Sequence, residues 1–160
     1  MSWWRSQRLA LMALAVAAIA ATGAYVWLDL VPSLRQPERV VNADASADVV
    51  GQILSLGSAR WNAYEAPEGY RTLSIRLGGS GGLDSELCTI TTLTDRPSGR
   101  TWLPSRDGLD VPYGEGEHSC ISSAESYRIL LVFLLPADAE GPFDLDIGTR
   151  SDLARFDISP

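Results

Sequence analysis

The sequence predicts an all-β domain, an antiparallel β-sandwich of about seven strands, preceded by one N-terminal transmembrane helix. Beyond residue 48, short apolar or alternating segments recur between glycine, proline and aspartate residues. This rhythm is typical of strands joined by turns rather than of helices. Near the start of the chain lies one long apolar run without charge. The two observations together predict an anchored domain.

The apolar run covers residues 9–28 and would form a helix of about 30 Å, which matches the hydrocarbon core of a bilayer. Two arginines precede it, so the positive-inside rule places residues 1–8 in the cytoplasm. A cleaved signal peptide is the alternative, because Ala18-Ile19-Ala20 fits a small-x-small cleavage site. We favour an uncleaved signal anchor, because the apolar run continues well past that site. Either segment would export the remainder.

The rest of the chain divides into a tether and an acidic domain. Residues 29–48 hold prolines and small polar residues without a sustained period, which predicts a flexible tether, and residues 49–160 would form the extracytoplasmic domain. Beyond residue 40 the chain has nine arginines against 18 carboxylates. Phosphate backbones would repel such a body, so we expect no nucleic-acid partner. The 46% share of apolar residues argues against disorder.

Seven segments of the domain have the pattern of strands, and turn residues bound each of them. They are residues 49–56, 59–64, 71–77, 87–94, 129–135, 143–147 and 154–158. No window beyond residue 48 shows a convincing helical stripe.

The segment 129–135 is apolar on both faces, which is unusual for a strand with one solvated face. Either its odd-numbered or its even-numbered side chains enter the core, and the other set needs a cover. The long loop that includes Trp102 and Tyr113 would provide it. Alternatively, Leu130, Val132 and Leu134, together with Trp102, form an interaction face for a partner.

Cys88 and Cys120 would lie on the oxidising side of the membrane, where two cysteines usually pair. Their disulfide would close a loop of about 33 residues and stabilise the fold by about 3–4 kcal/mol if its effect is mainly on chain entropy. Zinc binding is the rival interpretation, but Cys88, Cys120 and His118 leave such a site one ligand short. We therefore expect a disulfide, no metal and no cofactor.

Two motifs raise the question of catalysis. Residues 78–82 match the G-x-S-x-G nucleophile elbow around Ser80, but another strand follows where that motif requires a helix. A flexible hairpin loop is the expected structure. His118 is the chain's one histidine and adjoins Ser119, and adjacent side chains do not normally face one another with nucleophile geometry. We predict that the protein is not an enzyme.

Four acidic residues concentrate in one loop: Asp107, Asp110, Glu115 and Glu117. Their spacing matches no calcium-binding motif, so a solvated acidic loop is favoured. The alternative function is an extracytoplasmic domain that binds a cation or another small ligand through this 107–117 loop.

Three parts of the domain carry a family resemblance. They are the early core strand YRTLSIRL at 70–77, the hairpin-like loop at 93–95 and 98–102, and the late hairpin at 132–139 and 141–145. In this order they resemble the immunoglobulin-like ectodomains of uncharacterised anchored or exported proteins from high-GC Gram-positive bacteria. The resemblance implies an immunoglobulin-like antiparallel β-sandwich and one membrane or lipid anchor, with no catalytic residues. The segment 107–126 departs from it and leaves the local strand count open.

These observations predict a single-pass protein of the cell membrane with a cytoplasmic N-terminus. Its partners would be the lipid bilayer, through residues 9–28, and an extracytoplasmic protein. The β-sandwich would act as a non-enzymatic binding or envelope-assembly module. Its functional surface would be either the outer face of the 129–135 strand or the 103–119 loop.

Overall fold

A computed structural model of the chain describes residues 3–26, 39–49, 51–81, 87–121 and 125–160. The chain divides into two compact units, residues 1–36 and 37–160. The first contains helix α1, Trp3–Tyr25. Among the described residues, no helix combines the length and the apolar character that crossing a bilayer requires. The structure therefore does not support the predicted transmembrane helix, whose residues 27 and 28 lie outside the described part.

The second unit is a two-sheet β-sandwich, as predicted, with nine strands among the described residues. They are β1 (Arg39–Ala43), β2 (Ser46–Val49), β3 (Gln52–Trp61), β4 (Tyr70–Gly81), β5 (Ile90–Asp95), β6 (Thr101–Trp102), β7 (Tyr127–Pro136), β8 (Phe143–Gly148) and β9 (Asp152–Ile158). One sheet has the order β1-β9-β8-β5-β6, and the other has the order β2-β3-β4-β7.

The strand order differs from the immunoglobulin arrangement that the resemblance implies. In that arrangement the second and third strands of the domain lie in different sheets. Here β2, β3 and β4 are consecutive neighbours in one sheet, and β4 then pairs with β7. Strand β1 also runs parallel to β9, so the sandwich is not wholly antiparallel.

The sandwich begins earlier than predicted, because β1 and all but the last residue of β2 fall inside the predicted tether at residues 29–48. In β2, the buried residues Ala47 and Val49 alternate with exposed ones, which is the period of a half-buried strand. Small side chains thus serve as core residues here rather than as linker residues. Residues 29–38 lie outside the described part of the chain.

Strand β3 joins two of the predicted strands, 49–56 and 59–64, across a bulge between Leu56 and Ser58. Gly57 lies within the bulge, where a Cβ would come within 3.0 Å of the carbonyl oxygen of Arg76. Glycine permits this close approach of two backbones. The break in the sequence pattern is therefore a bulge and not a turn.

The core lies between the sheets and is built by alternate residues of the central strands. Its large side chains, each at most 2% exposed, include Leu73, Ile75, Leu77, Leu93, Ile129, Leu131, Phe133, Leu135, Phe143, Leu145, Ile147 and Phe156. Burying one such side chain contributes about 1.5–3 kcal/mol. The odd-numbered side chains of β7 thus face the core.

The glycine-rich segment from Gly78 to Gly81 is the end of β4, not the predicted hairpin loop. A Cβ at Gly79 would overlap the ring of Tyr127 on the neighbouring strand. The Tyr127 hydroxyl donates a hydrogen bond to Oε1 of Gln52, which is fully buried. Burial raises the pKa of Tyr127. The missing side chain at Gly79 therefore makes room for a buried polar pair.

We expect Gly79→Ala to lower the free energy of unfolding by about 1–3 kcal/mol, because the methyl group would overpack the ring of Tyr127. Urea unfolding measures the change. Gly78→Ala is the matched control, since its Cβ would meet only the rotatable Oγ of Ser55, at 2.8 Å. Equal losses in the two variants would contradict the role assigned to Gly79.

Candidate functional site

A segment between β6 and β7 lies along the free edge of β7, and we call its residues 103–121 the strap. The amide of Ser105 donates to the carbonyl of Val132 at 2.8 Å, and the amide of Leu130 donates to the carbonyl of Glu117 at 3.0 Å. These hydrogen bonds occupy backbone groups that an edge strand otherwise offers to other chains.

Arg106 fastens the middle of the strap. Its Nη2 donates to the carbonyl oxygens of Gly116 at 3.0 Å, Glu117 at 3.3 Å and Leu130 at 2.8 Å. The carbonyls of Gly116 and Glu117 belong to the second half of the strap, and the carbonyl of Leu130 belongs to β7. A guanidinium suits this role because its several N–H donors lie in one rigid plane. The Arg106 side chain, in the first half of the strap, therefore contacts both the second half of the strap and β7.

Glu115 fastens the strap to β4 and to the β3–β4 connection. Its Oε2 accepts hydrogen bonds from the Tyr64 hydroxyl at 2.8 Å and from Arg76 Nη2 at 2.6 Å. The hydrogen bond from Tyr64, followed by that from Arg76, lowers the pKa of Glu115. Burial, followed by the hydrogen bond to Glu115, raises the pKa of Tyr64. The ionised form of the Glu115 carboxylate is thus the form that these two hydrogen bonds stabilise.

A disulfide between Cys88 and Cys120 closes the end of the strap, and the predicted pairing is confirmed. Both residues are buried, with their Cα atoms 5.2 Å apart. Ser119 Oγ donates to the carbonyl oxygen of Cys88 at 2.8 Å. The strap is therefore held at three separate points along its length, by Arg106, Glu115 and Cys120.

The strap packs closely on β7. A cavity of about 80 Å³ remains between them, lined by Pro104, Ser105, Arg106, His118, Leu130, Leu131 and Val132. Ligand sites usually enclose about 300–1,000 Å³. The space under the strap therefore suits a few water molecules rather than a ligand.

The proposed interaction face on β7 lies beneath this cover. Leu130 and Val132 are 1% and 0% exposed, and Leu134 is half-buried. A Cβ added to Gly116 of the strap would come within 3.1 Å of the Leu130 Cβ. Leu130 and Val132 are thus covered by the protein's own chain, because the strap is fixed over them.

Trp102 does not share a face with these leucines. It pairs with Leu93 in the five-stranded sheet, and its ring meets Phe143 edge-on with centroids 6.4 Å apart. The cation of Arg100 lies over the same ring at 5.4 Å. The four residues named from the sequence therefore do not form one exposed surface.

The four acidic residues of the strap do not converge either. Asp107, Asp110 and Glu117 are exposed, whereas Glu115 is bonded to Tyr64 and Arg76. Across the described ranges, no group of three or more histidine, cysteine and carboxylate side chains comes together as metal ligands. The structure gives the 107–117 loop no cluster of oxygen ligands for a cation.

The two serines considered for catalysis, Ser80 and Ser119, both take part in contacts within the fold. Ser80 pairs with Ile53 inside β4, so the serine of the G-x-S-x-G motif lies within a strand, and Gly82 lies outside the described residues. Ser119 bonds to a carbonyl oxygen, and its neighbour His118 is exposed.

The outward side of the strap presents Tyr113, which is fully exposed, and Leu103, which is 69% exposed. Because the strap is fixed at three points, these side chains are displayed on an ordered segment. Exposed aromatic groups on ordered loops are typical of protein-binding surfaces. The sequence indicated the 103–119 loop as a candidate surface, but it gave no local sign of these two residues, because Leu103 and Tyr113 stand beside other apolar residues.

The outer face of the five-stranded sheet is ionic instead. Arg155 Nε and Nη2 donate to the two carboxylate oxygens of Asp146 at 2.7 Å each. Arg96 bridges Asp144 at 2.6 Å and Asp157 at 2.8 Å. These hydrogen bonds raise the pKa of both arginines. Each carboxylate of this network already has an arginine partner, so the strap is the better candidate for binding.

No protein-family model matches the chain, and no curated protein matches its sequence. Two solved structures resemble it in fold. An uncharacterised β-sandwich protein of Clostridium difficile 630 has 9% identity and a TM-score of 0.46, over 78% of this chain and 96% of that one. A Bacillus subtilis protein described as a "putative lipoprotein" has 10% identity and a TM-score of 0.52, over 73% of this chain and 39% of that one. At such identities the likeness shows the fold alone, and the fold is that of a two-sheet β-sandwich.

Protonation of Glu115 should loosen the strap. Because its folded pKa is lowered, its stabilising contribution is complete above the unfolded value of about 4.3 and is lost as the pH falls through the lower folded value. We expect Glu115→Gln to unfold at a lower urea concentration at neutral pH and to lose less stability on acidification than the wild type. Urea unfolding between neutral pH and about pH 3 tests this.

Glu117→Gln is the control, because it makes the same change at an exposed carboxylate two residues away. It should follow the wild type at every pH. Identical acid dependence of Glu115→Gln and the wild type would contradict the role of Glu115.

Proposed function

We propose that this protein is an exported β-sandwich that acts as a non-enzymatic binding or envelope-assembly module, with the strap as its binding surface. The fixed display of Tyr113 and Leu103 is the observation that carries this proposal. A segment that is ordered before binding loses little conformational entropy when a partner docks.

Export is supported by the chemistry of the strap and by the start of the chain. The Cys88–Cys120 disulfide favours an oxidising compartment, because cytosolic thiols are kept reduced. The uncharged run at residues 9–28, with arginines before it, is typical of an export signal. The description of the Bacillus subtilis neighbour as a lipoprotein agrees with an envelope location. We propose that residues 9–28 also anchor the domain, with the N-terminus in the cytoplasm.

A binding role also fits the placement of the candidate nucleophiles. Ser80 is an integral part of β4, and Ser119 supports the disulfide through the carbonyl of Cys88. Ser80 and Ser119 thus both take part in contacts that support the fold. The strap, in contrast, directs its exposed apolar groups to solvent.

Export predicts that the domain is reached by protease from outside the cell. With a C-terminal epitope tag, the full chain should lose the tag when protease is added to intact cells, and its two cysteines should resist alkylation until they are reduced. Deleting residues 2–28 supplies the control, which should retain its tag and show free thiols. Free thiols or a protected tag in the full chain would refute export.

Binding through the strap predicts position-specific crosslinking in cells. A photoreactive amino acid at position 113 should give a discrete protein adduct, whereas the same probe at Tyr70, which is 50% exposed at the start of β4, should not. With the probe moved to position 103, Tyr113→Ala should reduce the adduct by about tenfold or more, as for an aromatic hot spot. The same adducts from positions 113 and 70 would count against the strap.

A further inference from the structure

One turn of the strap contains an aspartate that is followed directly by a glycine. The amide of Leu109 donates to the carbonyl of Arg106 at 3.1 Å, which closes a four-residue turn with Asp107 and Gly108 in the middle. Gly108 has a φ of +74°, a conformation that glycine adopts without strain. The turn lies along the chain between two attachments of the strap, Arg106 and Glu115.

An aspartate that precedes a glycine can react with its own backbone. The backbone nitrogen of the glycine attacks the protonated carboxyl group of the aspartate, a five-membered imide forms, and the amide proton and the carboxyl hydroxyl leave as water. Water then opens the ring at either carbonyl group. One opening restores the aspartate, and the other leaves an isoaspartate, in which the main chain runs through the former side chain. A side chain on the attacking residue hinders ring closure, and glycine has none.

Asp107 is the one aspartate or asparagine of the sequence that glycine follows. Asp107 and Gly108 are both exposed, and a Cβ built on Gly108 would meet no atom within 4 Å. Among the described residues, no hydrogen bond uses the Gly108 amide. The turn itself is held by the bond from Leu109 to Arg106 and by a bond of 3.3 Å from the Asp107 amide to Ser105 Oγ. Because this turn is exposed and makes few contacts, its local opening costs little free energy.

We propose that Asp107 is a self-modification site at which the strap acquires an isoaspartate, and that this change releases the contacts of Arg106. The isoaspartate adds one atom to the main chain directly after Arg106. The Arg106 side chain bonds to the carbonyls of Gly116, Glu117 and Leu130. Hydrogen bonds tolerate changes of only a few tenths of an ångström, so a backbone longer by one bond cannot keep all three. The modification does not rest on the binding function proposed for the strap.

Incubation of the folded full chain in H₂¹⁸O at neutral pH tests the site. Each opening of the imide takes one oxygen atom from the solvent, and electron-transfer fragmentation of the peptides locates both the label and the isoaspartate. Label should enter Asp107 at least about tenfold faster than Asp110, which is also exposed but precedes the branched Val111. Equal labelling of the two aspartates, or label at Asp107 without isoaspartate, would overturn the proposal.

Asp107→Glu is the direct variant, because it keeps the charge but would have to close a six-membered ring. Labelling at position 107 should fall at least about tenfold in this variant. Asp110→Glu is the matched control, since it makes the same change at an exposed aspartate of the same strap, and labelling of Asp107 should not change. Labelling of Asp107→Glu at the wild-type rate would contradict ring closure through the side chain.

Hydrogen exchange measures the release of the strap. Anion-exchange chromatography separates the isoaspartate form from the unmodified chain, and the exchange of backbone amides is compared between the two. The amide of Ser105, which donates to the carbonyl of Val132, should exchange at least about tenfold faster in the isoaspartate form. The amide of Leu73 in the central strand β4 is the internal control and should exchange at the same rate in both. Unchanged exchange at Ser105 would refute the release of the Arg106 contacts.

Discussion

Strand β7 sets the main constraint on this fold, because it is apolar on both faces and lies at the edge of its sheet. Its odd-numbered side chains fill the core, and Leu130, Val132 and the free backbone edge need a second cover. The strap supplies that cover in one segment. Its backbone bonds to the edge, while Gly116 lies against Leu130 and Glu115 reaches Arg76 on β4. The domain is in this respect a sandwich with a partial third layer.

Within the described part of the chain, arginine takes part in most of the long-range side-chain hydrogen bonds and ion pairs, and the sequence has no lysine. Arg106 joins the two halves of the strap to β7. Arg71 stacks on Trp61 at 3.9 Å and donates to the carbonyl of Ala139. Arg100 joins the β5–β6 turn to Asp138. A planar guanidinium can contact several acceptors and an aromatic face at once, which an ammonium group cannot. These contacts tie the loops to the strands of the sandwich.

Much of the strand structure could be predicted because its signal is local. The segments at 71–77, 129–135, 143–147 and 154–158 alternate or are continuously apolar, and they reappear in β4, β7, β8 and β9. The candidate site could be predicted only in part. The 103–119 loop was identified as a possible surface. Cover of β7 by the long loop and an open face on β7 both stood as alternatives, since no local pattern shows which segment crosses a strand.

The sequence by itself determined that the chain forms a β-sandwich, that Cys88 and Cys120 pair, and that one strand needs covering on both faces. Each of these follows from side-chain period, composition or the chemistry of two thiols. Only the tertiary structure decided that β1 runs parallel to β9, that the glycine-rich segment is a strand beneath Tyr127, and that Trp102 belongs to the opposite sheet. Those outcomes depend on the register between strands distant in the chain, which is fixed by the packing of the whole core rather than by any single segment.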